Sequence, residues 1–170
     1  MYRLLAAALV SATICNAVHA RQMKIPAVVD HLVSLPSALP AALSDRLAKE
    51  AKAVIQADGR GQLPLDLEAA QALVDLGLTA TLVSEVNVRM ETDDDRWGTH
   101  ADIALPGTPP DYTHTAIVYV SDSKGGLSFP ALNMTVPFTQ GGVMAFPAGM
   151  EHGVVSAGAR IMLGPFSEKM

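Results

Sequence analysis

The sequence predicts an α+β fold, with a helical first part supporting a sandwich or jelly roll of short strands. Three observations carry this. Residues from about 25 to 78 show helix-type periodicity, whereas those from about 80 to 166 break into short β-branched and apolar runs. Glycine and proline recur between those runs, where turns are needed. The chain has 170 residues, of which 49% are hydrophobic, enough for one domain with a real core. No internal repeat or low-complexity run interrupts this pattern.

The first twenty residues read as a cleaved signal peptide. Arg3 supplies a positive start, Leu4 to Cys15 an apolar stretch too short to span a membrane comfortably, and Val18-His19-Ala20 a small-residue cleavage site. The expected destination is the secretory pathway: the ER lumen or the exterior, or a bacterial periplasm. No later segment reads as transmembrane, so no stable membrane span is expected. The lone cysteine, Cys15, lies inside the signal, which leaves the mature chain without a disulfide or thiolate ligands. The formal charge of -5 argues against nucleic acid as a partner and leaves a basic protein substrate open.

Residues 21–170 then form one domain. Pro40 suits the first turn of a helix that Gly59 can end, with Leu43, Leu47, Val54 and Ile55 on one face. Asp66 suits the N-cap of a second helix stopping at Gly77, with Ala70, Leu73 and Val74 as its buried stripe. Both are expected to support a sheet and carry no chemistry. Strands are expected over Thr81 to Arg89, Thr115 to Val120 (a central strand), Leu127 to Phe129, Met134 to Phe138, Val143 to Phe146, Gly153 to Val155 and Arg160 to Leu163. Gly125-Gly126, Gly141-Gly142 and Ala157-Gly158 supply turns.

His100 and Asp102 are ligand-type residues at i and i+2, which on a strand share one face. His152, at the start of another short strand, is the best third ligand. Two histidines and one carboxylate leave metal positions open, which suits Fe(II) with a chelating co-substrate and O2. Neutral imidazoles with one carboxylate also leave the site positive, which favours an anionic co-substrate. Arg160 follows His152 by eight residues across the Ser156-Ala157-Gly158-Ala159 turn. It is expected on the neighbouring strand, facing the same cavity. No acidic residue is local to it in sequence, and a dicarboxylate would supply the bidentate partner a guanidinium favours. Each residue alone also has an ordinary structural explanation; their order and spacing together point to a site.

These pieces together resemble the prolyl 4-hydroxylase branch of the 2-oxoglutarate and Fe(II)-dependent oxygenases. His100-Ala101-Asp102 is similar to the family's His-x-Asp motif, and Thr115 to Asp122 to the strand before its Gly-Gly turn. Gly125-Gly126-Leu127-Ser128-Phe129-Pro130 is similar to the segment usually written Gly-Gly-Glu-Thr-x-Phe-Pro. Val136-Pro137, Gly142, Phe146-Pro147, His152-Gly153-Val154 and Gly158-Ala159-Arg160 continue the series. The resemblance covers about residues 80 to 166. It implies a double-stranded β-helix, iron on His100, Asp102 and His152, and the distal carboxylate of 2-oxoglutarate on Arg160. The implied reaction couples decarboxylation of 2-oxoglutarate to succinate with hydroxylation of an unactivated C–H bond, peptidyl proline being the family-level substrate; ascorbate is an optional reductant.

Two departures stand out. Where the family often has a tyrosine on the strand before His-x-Asp, this chain has Val88-Arg89-Met90. Leu127 and Ser128 replace the usual Glu-Thr. Tyr119 or Thr115 is the candidate for the missing hydroxyl. A competing class is a cupin-like metal- or ligand-binding module without 2-oxoglutarate turnover, since Gly141 to His152 also fits the later cupin motif. A third is a non-catalytic jelly roll that binds partners. His114 is a further ligand candidate, read here as a turn residue; His31 is given no role. Lys124 is read as exposed. Asn133-Met134-Thr135 is a glycosylation sequon if the chain enters a eukaryotic secretory pathway. Ala104 to Tyr112, rich in Pro and Gly, is the expected rim of the site.

Overall fold

A computed structural model describes residues 24–92, 98–109, 111–155 and 158–167. The signal segment, Cys15 and the Ser156-Ala157 half of the turn before Arg160 lie outside them. Among the described residues the order is β1 (Val33–Leu35), α1 (Ala41–Val54), β2 (Arg60–Pro64), α2 (Leu67–Asp75), β3 (Glu85–Glu91), a short 3-10 helix (Asp102–Ala104) and β4 (His114–Tyr119). Then come β5 (Gly126–Phe129), a second 3-10 helix (Pro130–Leu132), β6 (Met134–Pro137), β7 (Gly142–Pro147), β8 (Gly153–Val155) and β9 (Arg160–Phe166). No helix among them is long and apolar enough to cross a membrane.

The strands form two antiparallel sheets, compatible with a jelly roll. The larger runs β1-β7-β4-β9-β3-β2, the smaller β6-β5-β8. β4 lies between β7 and β9, the central position its apolar, β-branched sequence predicts. Alternation along the larger sheet separates two interiors. Val86, Val88, Ala116, Val118, Val143, Ala145, Ile161 and Leu163 face the helices, packing with Leu43, Leu47 and Ala51 of α1 and Leu73 of α2. Tyr119, Met144, Phe146 and Met162 face the other way, against Leu127, Phe129 and Val136 of the small sheet. This period-two split leaves the second interior free to open into a cavity at one end.

The helices are where the periodicity places them, with one correction. Asp66 caps α2 by accepting the Ala69 N–H at 2.9 Å, and Gly77 follows with φ of 75°. α1, however, ends at Val54 and not near Gly59. The chain after Val54 turns into β2: Gln56 N–H donates to the Arg60 carbonyl at 2.8 Å, and Gly61 lies so close to Val54 that a Cβ there would be 2.5 Å from its carbonyl oxygen. β1 and β2 are strands inside the part read as helical. They are the two outer strands of the large sheet, and β2 contains both Gly61 and Pro64, which is why it resembles a loop in sequence. Strand β3 starts at Glu85, later than Thr81, and β9 runs past Leu163 to Phe166.

A candidate metal centre at the end of the cavity

His100 and His152 form an isolated antiparallel bridge at the free edge of β8. The His100 N–H donates to the His152 carbonyl at 2.9 Å, and the His152 N–H donates to the His100 carbonyl at 2.8 Å. Directly opposed residues of an antiparallel pair project their side chains from the same face. The two imidazole centroids are accordingly 4.6 Å apart. The approach requires Gly153: a Cβ there would be 2.9 Å from Thr99 Oγ1 and 3.2 Å from Thr99 Cα.

Asp102 reaches the same point by a different route from the one the spacing suggests. Only His100 is bridged; Ala101 is extended, and Asp102 begins a 3-10 helix, so no strand carries both ligands. Ile103 N–H donates to the Ala148 carbonyl at 3.0 Å, and Thr108 Oγ1 donates to the Asp102 carbonyl at 2.8 Å, which pins this turn. Asp102 Oδ1 then lies 3.5 Å from His100 Nε2 and 3.7 Å from His152 Nε2. Ligand atoms of all three residues fall within 4.8 Å of one another, the one such three-residue grouping of His, Cys, Asp or Glu among the described residues.

The backbone presets the imidazoles. His100 Nδ1 is 2.9 Å from the Gly98 carbonyl, and His152 Nδ1 is 3.0 Å from the Met150 carbonyl. A carbonyl oxygen only accepts, so in each ring Nδ1 carries a proton and Nε2 is the nitrogen that faces Asp102. The His152 ring is held between His100 and Phe146, whose centroid is 4.5 Å away. The Asp102 carboxylate is held as well: Thr115 Oγ1 donates to Oδ2. Thr115 Oγ1 and the Tyr112 hydroxyl are 3.1 Å apart. Burial pushes the Tyr112 phenol above its ordinary pKa, the charge of Asp102 adds to this, and Thr115 and Arg89 work against it. Tyr112 is therefore a proton donor across the neutral range.

A cavity of about 240 Å³ opens from these residues and extends between the sheets. It is lined by His100, Asp102, His152, Thr115, Tyr119 and Arg160, so the structure brings all the sequence-derived site residues together. Leu105, Thr108, Pro109 and Tyr112 line it too, which places the 104–112 segment at its wall. Thr115, Ile117 and Tyr119 alternate along the cavity face of β4. Thr115 is committed to Asp102 at the histidine end. Tyr119 lies toward Arg160, whose charge its buried phenol feels; burial nonetheless keeps that phenol protonated well above its usual range.

Arg160 is almost fully buried, with its guanidinium carbon 5.0 Å from the centre of the Phe138 ring. One expectation about it is corrected. β9 belongs to the large sheet and β8 to the small one, so Arg160 faces the cavity across it from β8 and not from a neighbouring strand. It also has an acidic partner: Nη2 donates to Glu91 Oε2 at 2.6 Å. Its other terminal nitrogen, Nη1, is buried and has no acceptor among the described residues. Glu91, and Arg89 two residues before it on the same face of β3, line the cavity where the tyrosine is missing. Alternation against Val86 and Val88 could have revealed that face; the pairing of Glu91 with a residue 69 positions later could not.

His114 is not a turn residue: it opens β4, is buried, and has Nδ1 3.1 Å from Thr113 Oγ1, outside the three-residue group. His31 is exposed and pairs with Asp30. Lys124 is exposed. Asn133 is exposed at the left-handed end of the second 3-10 helix, with φ of 47°. The cupin alternative needs two histidines and a glutamate near His100 in its first motif; among the described residues the group holds His100, Asp102 and the later His152, with no glutamate.

No family model matches the sequence, and no curated protein does. Solved structures do share its fold. A truncated viral collagen prolyl hydroxylase from Paramecium Bursaria Chlorella virus-1 aligns with a TM-score of 0.57 and 16% identity, over 82% of this chain and 91% of that one. The 2OG complex of the viral enzyme aligns at 0.52 and 15%, over 79% and 93%. An oxidoreductase of the 2OG-Fe(II) oxygenase family from Burkholderia pseudomallei aligns at 0.52 and 14%, over 82% and 87%.

Proposed function

We propose that this protein is an Fe(II)- and 2-oxoglutarate-dependent dioxygenase of the prolyl 4-hydroxylase-like kind, built on a double-stranded β-helix. One observation carries the reading. His100, Asp102 and His152 converge at one end of a cavity whose lining also includes a buried guanidinium with an unsatisfied nitrogen. The donor set fits iron: two imidazoles presenting Nε2 and one carboxylate leave positions for a chelating 2-oxo acid and O2. The fit to the co-substrate rests on Arg160 Nη1, a buried donor that a carboxylate oxygen would satisfy. Iron with 2-oxoglutarate supplies the oxidising chemistry; the protein orients and shields it.

The chain's own residues have three tasks on this reading. The Gly98 and Met150 carbonyls hold both rings in the metal-binding tautomer. Thr115, with Tyr112 beside it, holds the Asp102 carboxylate and aims it. The apolar lining of Ile117, Leu127 and Met162 limits water near the reacting C–H bond. A peptide substrate, with peptidyl proline as the first candidate, would enter past Leu105, Pro109 and Tyr112. The signal-like first twenty residues support action in the secretory pathway or outside the cell.

The test is anaerobic mixing of the protein with Fe(II) and 2-oxoglutarate. The weak visible charge-transfer band of the chelate is expected, and Asp102→Ala or His152→Ala should abolish it. Arg160→Ala should weaken 2-oxoglutarate by about a hundredfold while iron binding changes little, as expected for truncating a buried charged hydrogen-bond partner. A folded wild-type protein that binds Fe(II) but gives no band would favour the metal-binding module instead.

A further inference from the structure

Glu91 and Arg160 stand directly opposite each other in the β3–β9 ladder. Opposed residues of an antiparallel pair share a face, so the register itself brings the two side chains together. Their contact is one-armed: Nη2 meets Oε2 at 2.6 Å, while Nη1 stays buried without an acceptor among the described residues. A guanidinium takes a carboxylate best through two parallel bonds, so Glu91 occupies this group incompletely. The two partners also differ in freedom. The Arg160 side chain is 2% exposed and the Glu91 side chain 38%. Glu91 can turn out to solvent; Arg160, held against Phe138, cannot follow.

We propose that Glu91 is a built-in competitor for the distal carboxylate of the co-substrate. It covers one arm of Arg160 until 2-oxoglutarate arrives, then gives way, so the dianion binds against an internal carboxylate. This rests on the oxygenase reading above and adds a residue to it. The consequence is a raised threshold for 2-oxoglutarate that a 2-oxo acid without a distal carboxylate does not meet. Charge reinforces the effect, because a carboxylate beside a poorly solvated anion site repels the ligand that the site must hold.

The experiment uses calorimetry on the Mn(II)-loaded protein without oxygen, titrated with 2-oxoglutarate and, separately, with pyruvate. Glu91→Gln keeps an oxygen for Arg160 and removes the charge. It should tighten 2-oxoglutarate by about tenfold, a modest figure for removing a like charge at this distance. Pyruvate and Mn(II) affinities should not change, which separates the effect from a structural one. Glu91→Asp draws the carboxylate back by one carbon and should move 2-oxoglutarate in the same direction by less. Binding of 2-oxoglutarate by Glu91→Gln alone would be the strongest support. Equal or weaker binding in that variant, with the wild type binding, would overturn the competitor and leave the oxygenase reading intact. No binding by any of the proteins, with Mn(II) still bound, would overturn the co-substrate reading and the competitor with it.

Discussion

At the residue scale, the proposed centre depends on groups that touch no metal. Thr115 donates to Asp102 Oδ2 and is itself close to the Tyr112 hydroxyl. Thr115→Val keeps the β-branched shape on a central strand and deletes the donor. Residues that orient metal ligands typically contribute ten- to a hundredfold in affinity, so Mn(II) binding should fall by about tenfold while the fold persists. Calorimetric titration checks this, and an unchanged affinity would reduce Thr115 to packing. The His-x-Asp spacing was visible in the sequence. The acceptors on each Nδ1 were not, because Gly98 and Met150 contribute backbone carbonyls that no residue type announces.

At the element scale, the site hangs on one bridge. The segment carrying His100 pairs with the start of β8 through two hydrogen bonds, and Gly153 lets it approach. Gly153→Ala would set a methyl carbon against Thr99 and push the His100 backbone outward. We expect a loss in Mn(II) affinity of about tenfold, comparable to loss of a ligand-orienting group, although Gly153 carries no ligand. Near-UV circular dichroism would verify that the sheets stay packed; retained affinity would show that the bridge tolerates the shift. The same scale explains where sequence reading fell short. β1 is three residues long, too short for its alternation to stand out, and β2 holds Gly61 and Pro64, so neither announces a strand in sequence. α1 stops at Val54 because the next residues are drawn into β2, a tertiary demand that the helix-forming face does not record.

At the scale of the whole molecule, the three candidate ligand residues come from two separated chain segments, so on the proposed function metal binding and folding are linked. A metal that binds only the folded chain at a hundred times its Kd adds about 2.7 kcal/mol of stability. For a domain of this size that corresponds to a rise in Tm of about 5–10 °C. Scanning calorimetry with Mn(II) should show the rise, EDTA should reverse it, and Asp102→Ala should lack it. An equal rise in that variant would place the stabilising metal elsewhere.

The sequence by itself located two helices, β4 as a central apolar strand, and His100, Asp102, His152 and Arg160 as the candidate residues that line the cavity. Local periodicity and residue type suffice for these, because they depend on neighbours a few positions apart. Tertiary structure alone decided what those residues meet. It paired His100 with His152, set Asp102 on a 3-10 turn, gave Arg160 to the large sheet, and placed Glu91 against it. Apart from the Asp102 turn, these follow from strand pairing across 50 or more positions. A register joins residues through backbone hydrogen bonds that every residue type can make, so it leaves little trace in the sequence.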